Sequence, residues 1–332
     1  MKKIFLLPAP RDASVSCGSR FNVAAPLQGA PDGVRQVAAA VRIPPVGGRL
    51  RSNQGGFKRN AFILLLLTLM LLAFASCGRE KHGNFEFLYQ EETDSYTLIY
   101  YTDSAAVSEL VIPDTFKDKP VIAIGQLAIG SCDTLEKIVI GKNIQEIDKW
   151  GIVDCRYLKV IEVDEENEHF TSLDGVLYSK DMTKIITYPN AHTAEYAQDG
   201  KLLKPASYTV APGTNIIGHC AFYKCYGLEK VILPDSVEEI EDRAFHKCEG
   251  MTEINFPEGL HTIGKDAFLA CRGLEEVTLP STIRVLGEYV FYNADNIKTL
   301  RILTSQENVT LGNKWYPTSA GRDISVEIIW GE

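Results

Sequence analysis

Over much of the chain, apolar positions return every 23 residues. Leu228, Met251, Leu274 and Ile297 keep that step, as do Phe222, Phe245, Phe268 and Phe291, and so do Pro234, Pro257 and Pro280. Cys225, Cys248 and Cys271 form another line that Ala294 continues, while Cys132, Leu135, Cys155 and Leu158 carry the same step upstream. Several lines sharing one period mark a repeat architecture, in which each unit is a short coil unable to bury its apolar side alone.

One unit, Leu228 to Gly250, reads LEKVILPDSVEEIEDRAFHKCEG. Val231 and Leu233 alternate with Ile232, the period of a strand with one face in a core. Pro234-Asp235 ends that strand, because proline has no N–H for the next ladder bond. Val237 and Ile240 begin a second apolar line, and Ala244, Phe245 and Cys248 turn the far corner inward. Stacking such coils about 4.8 Å apart predicts a mainly β solenoid with short helical or irregular turns. Like residues stack in columns, behind a parallel sheet on one flank that is expected to run unbroken from Lys230 to Arg301.

Departures from the period shape the rest of the reading. Ile129 and Ile152 stand where later coils have Phe, Gly141 where they have Pro, and 70 residues separate Leu158 from Leu228. That gap holds one further repeat plus an insertion at about 164–207. Within it, Phe170 to Tyr188 predicts a hairpin, with Asp174-Gly175 as the turn and Val176 to Tyr178 facing Ile185 to Thr187. Ala191 to Ser207 is polar enough to be a loop. The solenoid then covers 107–303 and a C-terminal cap 304–332, which includes Ser325 to Trp330. Phe85 to Tyr89, Tyr96 to Tyr101 and Val107 to Ile112 read as antiparallel strands of an N-terminal β cap, assigned to 85–106.

The repeated residues carry a resemblance. Leu-x-x-(Ile/Val)-x-(Leu/Ile)-Pro and Ile-(Gly/Glu)-x-x-Ala-Phe-x-x-Cys, seen in Leu274 to Pro280 and Ile263 to Cys271, are similar to the BspA-like leucine-rich repeats of bacterial surface proteins. The family often has a hairpin island with a Leu-Asp-Gly-Val-Leu-Tyr signature, matched here by Leu173 to Tyr178. The resemblance implies a leucine-rich repeat stack that binds an extracellular or envelope protein or glycan, in adhesion to host or bacterial proteins.

A different signal lies upstream. Ala61 to Ala75 is uncharged and apolar and follows Lys58 and Arg59. It is shorter than the about 20 residues of a spanning helix and fits the central region of a signal peptide. Phe74-Ala75-Ser76-Cys77 resembles the bacterial lipobox, with Phe where Leu is usual. That resemblance implies a lipoprotein signal peptide at 57–76 and cleavage before an acylated Cys77. Acyl chains would then hold the chain on a membrane, the outer one, since Gly78 is not the Asp that retains many lipoproteins at the inner membrane. An uncleaved anchor helix is the other reading. Residues 77–84 are expected to be a tether, and residues 1–56, aperiodic and rich in Ala, Gly, Pro, Val and Arg, a disordered leader or the product of a misplaced start.

Charge and chemistry narrow the function. The net charge is -9, yet residues 1–60 carry +8, so the remainder is strongly acidic and disfavours nucleic acid as a partner. No His-Glu-x-x-His, Gly-x-Ser-x-Gly or phosphate-binding glycine loop occurs, so neither an enzyme nor a cofactor is expected. The five cysteines sharing one repeat position read as small buried hydrophobes, and their parallel Cβ vectors suit disulfides poorly. A zinc set from His219, Cys220, Cys225, His246 and Cys248 would need four ligands converging as a tetrahedron. The run Asp164 to Glu168 lacks calcium-loop spacing and reads as a solvated loop.

What remains is surface. The outward strand positions are Lys137 and Val139, Val160 and Glu162, Lys230 and Ile232, Glu253 and Asn255, Glu276 and Thr278, and Thr299 and Arg301. This flank is the first candidate for partner binding, and the hairpin, with Tyr178 and Tyr188 expected to be exposed, is the second. Two functions fit: a surface-displayed binding module, or a structural or assembly lipoprotein facing the periplasm.

Overall fold

The computed structural model describes residues 78–103, 107–197, 199–319 and 325–331. The expected leader and signal peptide, and Cys77 with its expected acylation, lie outside the described residues.

The solenoid follows from the 23-residue period. Leu228, Val231, Leu233, Val237, Ile240, Ala244, Phe245 and Cys248 of one coil are all buried. Three lines of hydrogen bonds tie successive coils together. The first joins long strands such as Leu228–Ile232, and the second joins two-residue strands such as Glu239–Ile240 and Thr262–Ile263. The third runs through the corner, where the N–H groups of Arg243, Phe245 and Lys247 donate to the carbonyls of Lys265, Ala267 and Leu269. Two residues per corner adopt left-handed backbone: Arg243 and Lys247 at φ 58° and 60°, then Asp266 and Ala270 at 56° and 58°. Each such residue costs about 1–2 kcal/mol, offset here by the hydrogen bonds the corner makes to the next coil.

The unbroken sheet is the second line, not the flank. Eight strands run from Phe170–Leu173 through Lys184–Thr187 and the short pairs to Thr310–Leu311. The long strands instead form three sheets of three: Glu109–Val111, Lys137–Ile140 and Val160–Val163; Ala206–Thr209, Leu228–Ile232 and Glu253–Ile254; Glu276–Leu279, Thr299–Ile302 and Glu327–Trp330. The expected continuity from Lys230 to Arg301 therefore fails after Ile254. Asn255 shortens its strand by spending its side chain on the preceding coil, accepting from Leu233 N at 2.7 Å and donating to Leu233 O at 2.8 Å. Phe256, bulkier than the Leu233 and Leu279 of equivalent position, turns edge-on to Phe268 at 5.5 Å. Glu253 and Glu276, at the same repeat position, also bring like charges to a strand pairing, which disfavours it.

The insertion is built into the stack. Phe170–Leu173, Val176–Ser179 and Lys184–Thr187 form an antiparallel meander whose last strand runs parallel to Ile216–Ile217 as a member of the second line. Its middle strand divides two cores. Leu177 packs with the upstream coils, whereas Val176 and Tyr178 pack with the downstream ones. Ala191 to Ser207 is not a plain loop, since Glu195–Tyr196 pairs with Leu202–Lys204 and Ala206–Thr209 starts the further repeat.

Both ends differ from expectation. Arg79–His82 pairs antiparallel with Phe85–Leu88 across a turn in which Gly83 has φ 58°, so half of the supposed tether is strand. Glu109–Val111 lies parallel to Lys137–Val139 and is the first rung, not a cap strand. Glu327–Trp330 is likewise a parallel rung, and the rings of Trp315 and Trp330, 5.7 Å apart, pack at this end of the stack.

Candidate functional site

The outward positions fall on three separate sheets. On the first, Glu109, Lys137 and Val160 share one row and Val111, Val139 and Glu162 the next. On the second, Lys230 faces Glu253, Ile232 is 42% exposed, and Asn255 lies just past its strand. On the third, Glu276 aligns with Thr299, and Thr278 with Arg301. The structure thus brings Lys137, Val139 and Glu162 together, groups Lys230, Ile232, Glu253 and Asn255, and sets Glu276, Thr278 and Arg301 apart from both.

Many of these charges already have partners. Lys137 Nζ lies 2.8 Å from Glu162 and 3.3 Å from Glu109, and Lys230 Nζ lies 2.5 Å from Glu253. Half-exposed pairs of this kind contribute about 0–1 kcal/mol each, so a partner can displace them at little cost. Asn255 is different, because its amide is committed to Leu233. Tyr178 and Tyr188, expected at the surface of the hairpin, are buried at 0% and 1% exposure. Tyr188 stacks on Phe222 at 5.0 Å and extends the phenylalanine column by one ring. Tyr178 exchanges a 2.6 Å hydrogen bond with Tyr208.

An aromatic cluster that the sequence reading passed over lies at the corner. Trp150 meets His219 and Tyr223 edge-on at 5.4 and 5.3 Å, and Tyr223 stacks on His246 at 5.2 Å. The Arg243 guanidinium lies over the Trp150 ring at 5.4 Å, and Lys224 pairs with Asp154 at 2.5 Å. Burial pushes the His246 imidazole down to about 4 and lowers that of His219. Through two edge-on contacts and one stacked pair, these half-buried rings join the upstream and downstream coils. Tyr223, His246 and Tyr292 each follow a repeat Phe, the signal that places them in one column.

The zinc set does not converge. Cys225 and Cys248 point into the core while His219 and His246 sit in the aromatic cluster, and among the described residues no group of three or more His, Cys, Asp or Glu is placed to hold a metal ion. Cys132, Cys155, Cys220, Cys225, Cys248 and Cys271 are all buried free thiols. Cys248 and Cys271 each donate to the carbonyl of a preceding coil, Phe222 and Phe245, at 3.0 Å. Burial raises the Cys225 and Cys271 thiols well above the ordinary range and pushes Cys220 up to about 12.

Alkylation at neutral pH is therefore expected to leave these six thiols unlabelled in the folded chain and to label them all in denaturant, as mass spectrometry would read. Because the folded pKa values of Cys155, Cys220, Cys225 and Cys271 are raised, the stability these four contribute is complete below the unfolded thiol value of about 8.5 and is lost as pH climbs beyond it. Rapid labelling of Cys248 or Cys271 in the native chain would contradict the stacked core.

A scan against protein families matches six copies of the BspA type leucine rich repeat region, at residues 100–197 and 206–316. Similar solved structures include a leucine-rich repeat protein from Eubacterium ventriosum, 15% identical over 71% of this chain and 83% of that one, with a TM-score of 0.44. A leucine-rich cell surface protein from Faecalibacterium prausnitzii is 14% identical over 74% of this chain and 97% of that one, with a TM-score of 0.42. A leucine-rich repeat protein from Bacteroides ovatus is 19% identical over 70% and 67%, with a TM-score of 0.35. No curated protein matches the chain. The six repeat copies span most of the residues that form the stacked coils, and this chain belongs to the BspA-type leucine-rich repeat family.

Proposed function

We propose that this chain is a lipid-anchored, surface-displayed binding module, held by Cys77 on an outer membrane and engaging an extracellular or envelope protein or glycan in adhesion, without catalysis. The observation that carries the reading is the division of labour along each coil. Most inward positions are buried, while several outward strand positions are open to solvent, with Val111 56% and Ile232 42% exposed. Stacking leaves only outward positions able to vary with a ligand. Gly78 alone separates Cys77 from the first strand, so acyl chains at Cys77 would hold the folded unit close to the bilayer.

Two measurements test this. Wild-type chain is expected to partition into the detergent phase, and Cys77→Ser to move to the aqueous phase, since two or three acyl chains anchor where none does. Equal partitioning of the two would refute the anchor. Protease added to intact cells is expected to digest the solenoid. Protection that disappears only on permeabilising the outer membrane would instead favour the periplasmic assembly role.

A further inference from the structure

We propose that the groove across the strand ends of the first sheet binds a basic, extended segment of a partner protein, an assignment that rests on the binding-module reading above. The groove encloses about 510 Å³. Its floor is apolar: Val111 and Val139 lie side by side on adjacent strands, and Val111 is 56% exposed, among the most exposed large apolar residues of the described chain. Its rim is acidic, formed by Asp114, Glu162, Asp164, Glu165 and Glu166.

The charge on that rim is only partly neutralised. Glu162 pairs with Lys137, and Glu166 pairs with Lys142 at 2.7 Å. Among the described residues, no basic side chain forms an ion pair with Asp114, Asp164 or Glu165. Asp164 Oδ1 accepts only the backbone N–H of Glu166 at 2.8 Å among the described hydrogen bonds, and Asp114 Oδ1 is buried with no hydrogen-bond donor. Gly141 makes the placement of Asp114 possible, because a Cβ there would overlap Asp114 Oδ1. Where later coils carry proline, this coil carries the one residue that admits a carboxylate.

Three carboxylates without an ion pair, two of them (Asp114 and Asp164) sharing the field of Lys142, leave a net negative potential around an apolar concavity. The occupant of complementary chemistry alternates positive and apolar side chains: arginine or lysine toward the rim, aliphatic groups on Val111 and Val139. A glycan would find no aromatic face in this groove. An acidic peptide would be repelled.

The test uses the full chain in detergent and a synthetic peptide alternating arginine and valine, followed by fluorescence anisotropy. Saturable binding is expected, weakened about tenfold or more by Glu162→Lys combined with Glu165→Lys, a change of about 1.4 kcal/mol per tenfold. Glu165→Lys alone, at a residue without an ion pair, should weaken binding several-fold and leave the melting temperature unchanged. Glu229→Lys with Glu238→Lys, equal in charge but far along the chain, should leave binding within about twofold, because exposed charges beyond a Debye length of about 8–10 Å are screened. Replacing the valines of the peptide by glycine should weaken it as well. The assignment is overturned if the peptide does not bind, if the control pair weakens binding as much as the groove pair, or if the glycine peptide binds equally well. Each of those results leaves detergent partitioning and protease access at Cys77 unaffected, so failure of the groove and failure of the anchor are separable.

Discussion

Phe245→Ala is expected to destabilise the solenoid by about 3–5 kcal/mol, the usual range for truncating a large core aromatic. Phe245 is fully buried, with its ring 4.8 Å from that of Phe222 at 12° and 5.1 Å from that of Phe268 at 10°. The column extends to Tyr188 on one side and Phe291 on the other. In a stack where each coil touches only its neighbours, a cavity at this level weakens the interfaces above and below at once. Collapse cannot refill it, because the coil is pinned to both neighbours at the corner by the bonds Phe222 N to Ala244 O and Phe245 N to Ala267 O. Set against the about 5–15 kcal/mol that holds a typical domain together, one ring is a large share. Urea denaturation should show a lowered midpoint with the slope retained, and Phe245→Leu should lose less than half as much. A loss below about 1 kcal/mol for the alanine variant would mean that the ring column is not what holds the coils in place.

The period was readable because stacking imposes the same inward residue on every coil, so Leu, Phe and Cys repeat where geometry allows nothing else. Features that do not obey the inward rule were harder to read. Tyr188 belongs to the phenylalanine column, but the Glu195–Lys204 hairpin lies between it and Phe222 and displaces it from the 23-residue step. The left-handed corner positions hold Arg243, Lys247, Asp266 and Ala270, none of which is the glycine that usually marks such a conformation. The break after Ile254 depends on one side-chain amide and one oversized ring, which propensity does not register. The surface charges, by contrast, were legible and went unread. Lys230 and Glu253, Arg243 and Asp266, Arg272 and Glu249, Lys265 and Glu288, and Lys298 and Glu275 each stand one repeat apart and each form an ion pair across coils. Applied to polar residues as well as apolar ones, the same period pairs opposite charges on successive coils, with Lys230 and Glu253 among the outward positions of the flank. It also explains why the partly unneutralised rim lies where the period is interrupted.

Asn167 is the position at which following the repeat too literally would do most harm. It lies nine residues after Leu158, as Ile144, Val237, Leu260 and Ile283 lie nine after Leu135, Leu228, Met251 and Leu274, so restoring the repeat would write Asn167→Ile. The structure argues the opposite outcome. Asn167 is 0% exposed and uses its whole amide: Nδ2 donates to Gly141 O at 2.8 Å and Ile144 O at 2.9 Å, and Oδ1 accepts from His169 N and Phe170 N, both at 2.8 Å. Those bonds fasten the entry of the meander to the coil above it. An isoleucine of suitable size leaves two carbonyls and two N–H groups without that partner, at about 1–3 kcal/mol for each that stays buried. The net effect is expected to be a loss of about 4 kcal/mol despite the gain in apolar surface. Asn167→Asp keeps the two acceptor bonds but turns a carboxylate oxygen toward the Gly141 and Ile144 carbonyls. Its folded pKa is then raised, and the variant should gain stability relative to wild type as pH falls from 7 toward 4. Equilibrium unfolding of the two variants separates the causes. If Asn167→Ile matched or exceeded the wild type, the amide would be a tolerated exception to the repeat and not the clasp that holds the insertion in the stack.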